Sequence, residues 1–160
     1  MESLINTKVP DIEFLLFPNV SPNQYVTFKS FEGHYVVLYF YPKDNTPGCT
    51  KEAQEFQDLL DTFQKHNTII LGVSKDSIAS HKRFSEKYQI SFPLIADING
   101  QLCEAFGVWC EKSMYGKKYM GIDRSTFLID PRGIIQNVWR SVKVKNHAQE
   151  VLNVLETTQT

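Results

Sequence analysis

The chain is short of cysteine, of net charge and of long apolar runs, and each shortage removes a class of function. Three cysteines (Cys49, Cys103, Cys110) are an odd number without framework spacing, so a secreted disulfide scaffold is not expected and a reducing cytoplasm fits best. Seventeen basic residues against eighteen acidic ones leave a net charge of −1 and no long Lys/Arg cluster. That balance argues against nucleic acid and against an anionic membrane surface as partners. No uninterrupted apolar stretch reaches the ~18 residues of a membrane span. The opening MESLINTKVPDIEF has an acid at position 2 and no basic-then-apolar pattern, so no signal peptide is expected. The four histidines (His34, His66, His81, His147) are scattered, none at ligand spacing with a cysteine. They read as surface or loop residues, and no metal site is expected.

What remains is an ordinary globular composition over 160 residues, 42% apolar and 22% charged, a length that suits one domain spanning 1–160. Two short β-like runs, Ile12–Phe17 and Tyr25–Phe28, flank a turn-rich PNVSPNQ and suggest an N-terminal hairpin. HYVVLYFYP and TIILGVS are continuous β-branched and aromatic runs of the kind that form buried strands. DSIASHKRFSEKYQ predicts a helix with Asp76 as N-cap, FPLIAD a third strand, and NGQLCEAFG a short helix stopping near Gly107. STFLID and IIQNVWR predict two strands joined by a Pro-Gly turn. A closing helix, NHAQEVLNVLE, carries Asn146 and Gln149 as a capping-box-like pair. This order implies an α/β sandwich around a mixed sheet, compatible with a thioredoxin-like fold.

The chemistry concentrates in YPKDNTPGCTKEAQEF. With Thr46 as N-cap, Pro47 takes the first helical position and Cys49 the third, among backbone N–H groups that have no intrahelical partner. Cys49, Ala53, Phe56, Leu60 and Phe63 fall on one helix face. The bland alternative is an inert apolar cysteine in the core. A reactive one needs help, because lowering a thiol pKa from ~8.5 to about 6 takes on the order of 3.4 kcal/mol. The helix dipole supplies ~0.3–1 kcal/mol, at most about 2. A charged hydrogen bond, at ~1.5–3 kcal/mol, must supply the remainder, so a basic partner from elsewhere in the chain is expected.

The segment resembles the active-site stretch of peroxiredoxins, whose pattern of Pro, three residues, Thr or Ser, two residues and Cys falls here on Pro42, Thr46 and Cys49. Its wording looks most like the bacterioferritin-comigratory-protein, or Q-type, subfamily. YGKKYMGIDRSTFLIDPRG resembles that subfamily's arginine segment, and FGVW and VKVKNHAQEVLNVL resemble its other stretches. The resemblance implies a thioredoxin-like fold and a thiol-dependent peroxidase acting on hydrogen peroxide and organic hydroperoxides, without metal or bound cofactor. It implies Cys49 as the peroxidatic nucleophile cycling through a sulfenic acid, Thr46 as holder of the peroxide, and Arg124 as stabiliser of the thiolate and of the developing charge. Pro42 would shield the sulfenic acid and fix the loop, and Glu52 would hold the arginine.

Many Q-type relatives place a resolving cysteine five residues after the first, where this chain has Gln54, or on the following helix near position 85, where it has Ser85. An external thiol (thioredoxin, glutaredoxin or glutathione) would then reduce the sulfenic acid directly. Otherwise Cys110, in a glycine-flanked segment expected to be mobile, or Cys103, expected to be packed, would resolve it. By analogy with the subfamily the protein would be a monomer or weak homodimer. Two rivals are weighed against this reading. A thioredoxin-type reductase uses C-x-x-C, but the residue three after Cys49 is Glu52. A redox sensor or holdase on the same fold would react with peroxide once and stop.

Overall fold

The computed structural model describes residues 3–18 and 25–159. Strand β1 (Phe14–Phe17) and the two-residue β2 (Tyr25–Val26) pair antiparallel at one sheet edge, and a 3₁₀ turn, Phe28–Phe31, takes the place of the expected continuation of β2. Residues 19–24, most of the anticipated turn, lie outside the described residues.

The buried runs become β3 (Tyr35–Phe40) and β4 (Thr68–Ser74), parallel neighbours joined through α1 (Pro47–Asp58) and α2 (Leu60–Lys65). A break at Leu59 splits the expected single helix, yet Cys49, Ala53, Phe56, Leu60 and Phe63 all remain buried. Then follow α3 (Ile78–Tyr88), β5 (Leu94–Ala96), α4 (Gln101–Ala105), β6 (Trp109–Met114), β7 (Lys117–Ile122), β8 (Ser125–Ile129), β9 (Ile135–Trp139) and α5 (His147–Gln159). The main sheet runs β2-β1-β5-β4-β3-β8-β9. Its centre is parallel and its flanks antiparallel, the mixed arrangement that the element order anticipates.

Alternation along β3 sorts the core into two layers. Val37 and Tyr39 face Phe56, Phe63 and Leu155 beneath the helices on one side, and Cys49 belongs to that layer. Val36, Leu38 and Phe40 face Phe106 and Phe127 on the other, together with Cys103.

Several local expectations are corrected. The N-cap of α3 is Ser77, whose hydroxyl accepts from Ser80 N, while Asp76 turns its carboxylate to the loop after β3. Gln149 does not reach back to close a capping box; Glu55 of α1 accepts the Asn146 N–H instead, at 3.1 Å. The glycine-flanked segment that carries Cys110 is the β6–β7 hairpin, turned by Tyr115 and Gly116, both with positive φ. His81 and His147 are buried rather than on the surface, each satisfied by polar partners inside the fold.

Candidate active site

The site forms where β3 runs out and α1 begins. Tyr41 extends the strand line inward, Asn45 takes a left-handed conformation (φ 59°), and the chain turns back into α1. Thr46 is extended (φ −103°, ψ 155°) and occupies the N-cap, with Pro47 at the first helical position. Its hydroxyl does not cap the helix. It donates to the Lys43 carbonyl at 2.8 Å, so the side chain is braced against its own loop. The first amide of the helical ladder is Thr50 N, bonded to Thr46 O at 2.9 Å. The Gly48 and Cys49 amides precede that ladder and point out of the helix start.

Antiparallel pairing of β3 with β8 places Ser125 opposite Phe40, so Arg124 emerges beside the end of β3 and the start of α1. Its Nη2 donates to Cys49 Sγ at 3.5 Å and its Nη1 to Glu52 Oε1 at 2.6 Å. One guanidinium therefore bridges the sulfur and a carboxylate one helical turn further on. Gly48 makes the approach possible: a Cβ there would lie 3.3 Å from Arg124 Nη2. A basic side chain from a distant strand thus stands at the sulfur.

Burial works against the charge on Arg124, but Glu52 and Cys49 beside it prevail and hold the guanidinium above its ordinary value. Burial pushes the Glu52 carboxyl up to about 7 against the opposing pull of Arg124, with Glu55 adding to the rise. Tyr39, under the site and stacked on Phe56 at 4.7 Å, has its phenol pushed well up by burial and by the neighbouring Glu52 and Cys49. Its hydroxyl and Glu52 Oε2 find no hydrogen-bond partner among the described residues.

The structure thus brings Cys49, Glu52 and Arg124 into direct contact and puts Thr46 at the head of the same helix. Pro42 is exposed at the loop's outer side. The other two cysteines stand apart. Cys103 is fully buried in the opposite core layer, with the sheet between it and Cys49, and burial together with Asp97 pushes its thiol up. Cys110 is half-buried, with Sγ 3.5 Å from the Val108 carbonyl. Among the described residues no group of three or more His, Cys, Asp or Glu side chains is placed to hold a metal ion, and no helix is long and apolar enough to cross a membrane. Gly48 escapes the sequence reading as a site residue, because it acts by close approach to a partner distant in the chain.

A first-turn cysteine under a guanidinium, on a mixed sheet with helices on both faces, defines a reactive-thiol protein of thioredoxin-like fold. Residues 5–138 match the AhpC/TSA family, and the chain belongs to that family. It is 47% identical to the peroxiredoxin Bcp of Xanthomonas campestris over 149 residues, 93% of each chain. To the peroxiredoxin Bcp of Bacillus subtilis it is 46% identical over 152 residues, 95% of this chain and 94% of that one. Among solved structures, a cysteine-to-serine variant of peroxiredoxin Q from Xylella fastidiosa superposes with a TM-score of 0.91 at 41% identity, covering 100% of this chain and 99% of that one. The bacterioferritin comigratory protein of X. campestris, studied for its alkyl peroxide reduction activity, superposes with a TM-score of 0.85 at 46% identity, covering 93% and 92%. The thioredoxin-like fold class and the Q-type resemblance expected from the sequence are both met.

Proposed function

We propose that the protein is a thiol-dependent peroxidase that reduces hydroperoxides through Cys49, as one domain spanning the chain. The observation that carries this is the Arg124 guanidinium bridging Cys49 Sγ and Glu52 Oε1. A donor at that distance from sulfur favours attack by the anion, and the same charge stabilises the oxygen that departs.

In the reaction the thiolate attacks one peroxide oxygen, an S–O bond forms and the O–O bond breaks. The second oxygen leaves with the bonding electron pair, takes up a proton and departs as water or alcohol, while sulfur is oxidised to sulfenic acid. Thr46 has committed its hydroxyl proton to Lys43 O, so its oxygen presents lone pairs that accept the peroxide O–H. The Gly48 and Cys49 amides and Arg124 donate to the other oxygen. Pro42 closes the outer side of the loop over the oxidised sulfur, and Glu52 holds Arg124 in place.

An external thiol then attacks the sulfenic acid, releasing water and forming a mixed disulfide; a second thiol displaces Cys49 and leaves as disulfide. The position of Cys103 behind the sheet supports this one-cysteine route, with Cys110 as the internal alternative. Thioredoxin, glutaredoxin or glutathione in the cytoplasm is the reductant we assign, acting on a monomer or weak homodimer. Hydroperoxide consumption with each reductant, for the wild type and for Cys49→Ser, Cys103→Ser and Cys110→Ser, tests the reading. Only Cys49→Ser should abolish turnover. Intact mass after one equivalent of peroxide should show an added oxygen or an external-thiol adduct. A loss of two hydrogens mapped to a Cys49–Cys110 peptide would replace the one-cysteine route, and a wild type that reacts once without turnover would make the protein a sensor.

A further inference from the structure

The loop between β3 and α1 is gripped by buried polar side chains that the chemistry above leaves unused. Asp44, in the middle of the loop, accepts the Tyr41 hydroxyl on Oδ1 at 2.6 Å and the Ser80 hydroxyl on Oδ2 at 2.8 Å. His81 Nδ1 lies 2.8 Å from the same Oδ2. The other ring nitrogen, Nε2, donates to the Ile95 carbonyl at 2.9 Å, and the ring is fully buried. Both edges of the imidazole are thereby fixed between β5 and the loop. Tyr88 adds a third tie, from its hydroxyl to Asn45 Oδ1 at 2.7 Å.

The backbone of Asp44 is held as firmly as its side chain. Its N–H donates to Asp76 Oδ2 at 2.9 Å, and that oxygen also accepts the Ser74 hydroxyl at 2.7 Å. The Asp44 N–H and the Lys43 carbonyl belong to one planar peptide unit, so fixing the first orients the second. Lys43 O is the acceptor of the Thr46 hydroxyl proton. The chain of constraint runs from Asp76 and His81, through Asp44 and one rigid peptide, to the oxygen that faces the peroxide. A hydroxyl without such an acceptor rotates among several partners. Tyr41, Asp76, Ser80 and His81 thus all converge on one loop residue, and what they fix is the position of its peptide.

We propose that Asp76 and His81 are positioning residues for peroxide reduction, acting through the Lys43–Asp44 peptide to aim the Thr46 hydroxyl. The inference rests on the peroxidase reading above. It is tested by kcat/KM for hydroperoxide in a double-mutant cycle of Asp76→Ala with Thr46→Val. Asp76→Ala should lower kcat/KM about tenfold or more when Thr46 is present, in line with the cost of misplacing a catalytic group. In the Thr46→Val background, where no hydroxyl remains to aim, the same change should cost less than about twofold. Asp76→Asn, which keeps a side-chain oxygen for the Asp44 N–H, should stay within about threefold of wild type. His81→Gln provides the second arm, since its amide can reach Ile95 O but not Asp44, and it should show the same dependence on Thr46. Equal losses in both backgrounds, or no loss at all, would overturn the inference while leaving the peroxidase intact. A wild type that consumes no peroxide would overturn both.

Discussion

Replacing Glu52 by Gln isolates the group whose ionisation the site perturbs most directly. Burial raises the Glu52 carboxyl from an ordinary 4.5 to about 7, even with Arg124 beside it. Between those values the folded protein holds a proton that the unfolded chain has released. The stabilising contribution is therefore complete below the ordinary value, falls as pH rises, and is gone above about 7. Each pH unit in that window is worth about 1.4 kcal/mol, so the whole effect is about 3 kcal/mol. Gln stays neutral at every pH while its Oε1 still accepts from Arg124, and Arg124 keeps its charge throughout the range. The stability of wild type minus that of Glu52→Gln should consequently fall by about 3 kcal/mol from about pH 4 to about pH 8 and then level off. Urea unfolding followed by the fluorescence of Trp109 and Trp139 measures it. A difference that is flat or grows with pH would refute the reasoning, because Glu52 would then be ionised throughout and the guanidinium would outweigh burial.

Three further outcomes are expected. Arg124→Lys keeps a positive charge but cannot bridge Cys49 and Glu52 at once; stopped-flow oxidation of Cys49 should slow about ten- to a hundredfold, the worth of one charged hydrogen bond. Phe106→Ala empties a fully buried position packed on Phe28, Phe40 and Phe127, and should cost about 3–5 kcal/mol in urea unfolding. Because that ring lies across the sheet from Cys49, kcat/KM should stay within about twofold wherever the variant is folded. Ser85→Cys puts a thiol on α3 where a buried hydroxyl finds no partner among the described residues; peroxide treatment should then remove two hydrogens and link residues 49 and 85, whereas an unchanged sulfenic acid or external adduct would show that α1 does not open far enough.

How much of this was legible in the sequence depended on the distance between interacting residues. The Cys49 face of α1 follows from helical periodicity and the buried strands β3 and β4 from continuous apolar runs, both local signals; the strand limits agree closely with those observed, while the helix breaks at Leu59. The need for a cation at the sulfur followed from energetics, but naming Arg124 took the family resemblance, since only the β3–β8 register brings residues 75 positions apart together. The β6–β7 hairpin escaped notice because its outer residues, Met114, Tyr115, Tyr119 and Met120, are exposed and no buried face marks an alternation. Capping differs for a related reason, since tertiary bonds compete with local ones: the Asp76 carboxylate accepts the Asp44 N–H instead of capping α3, and Glu55 accepts the Asn146 N–H in place of Gln149. Histidine was the sharpest miss. A lone polar residue in a helical run reads as solvent-facing, yet His81 faces inward, because Asp44 and the Ile95 carbonyl together satisfy both its nitrogens where water cannot reach. Such a residue becomes tolerable only when the fold supplies every partner. In this fold the partners of His81 come from the loop that bears Thr46 and from β5, so the buried ring ties α3 to the segment that leads into Cys49.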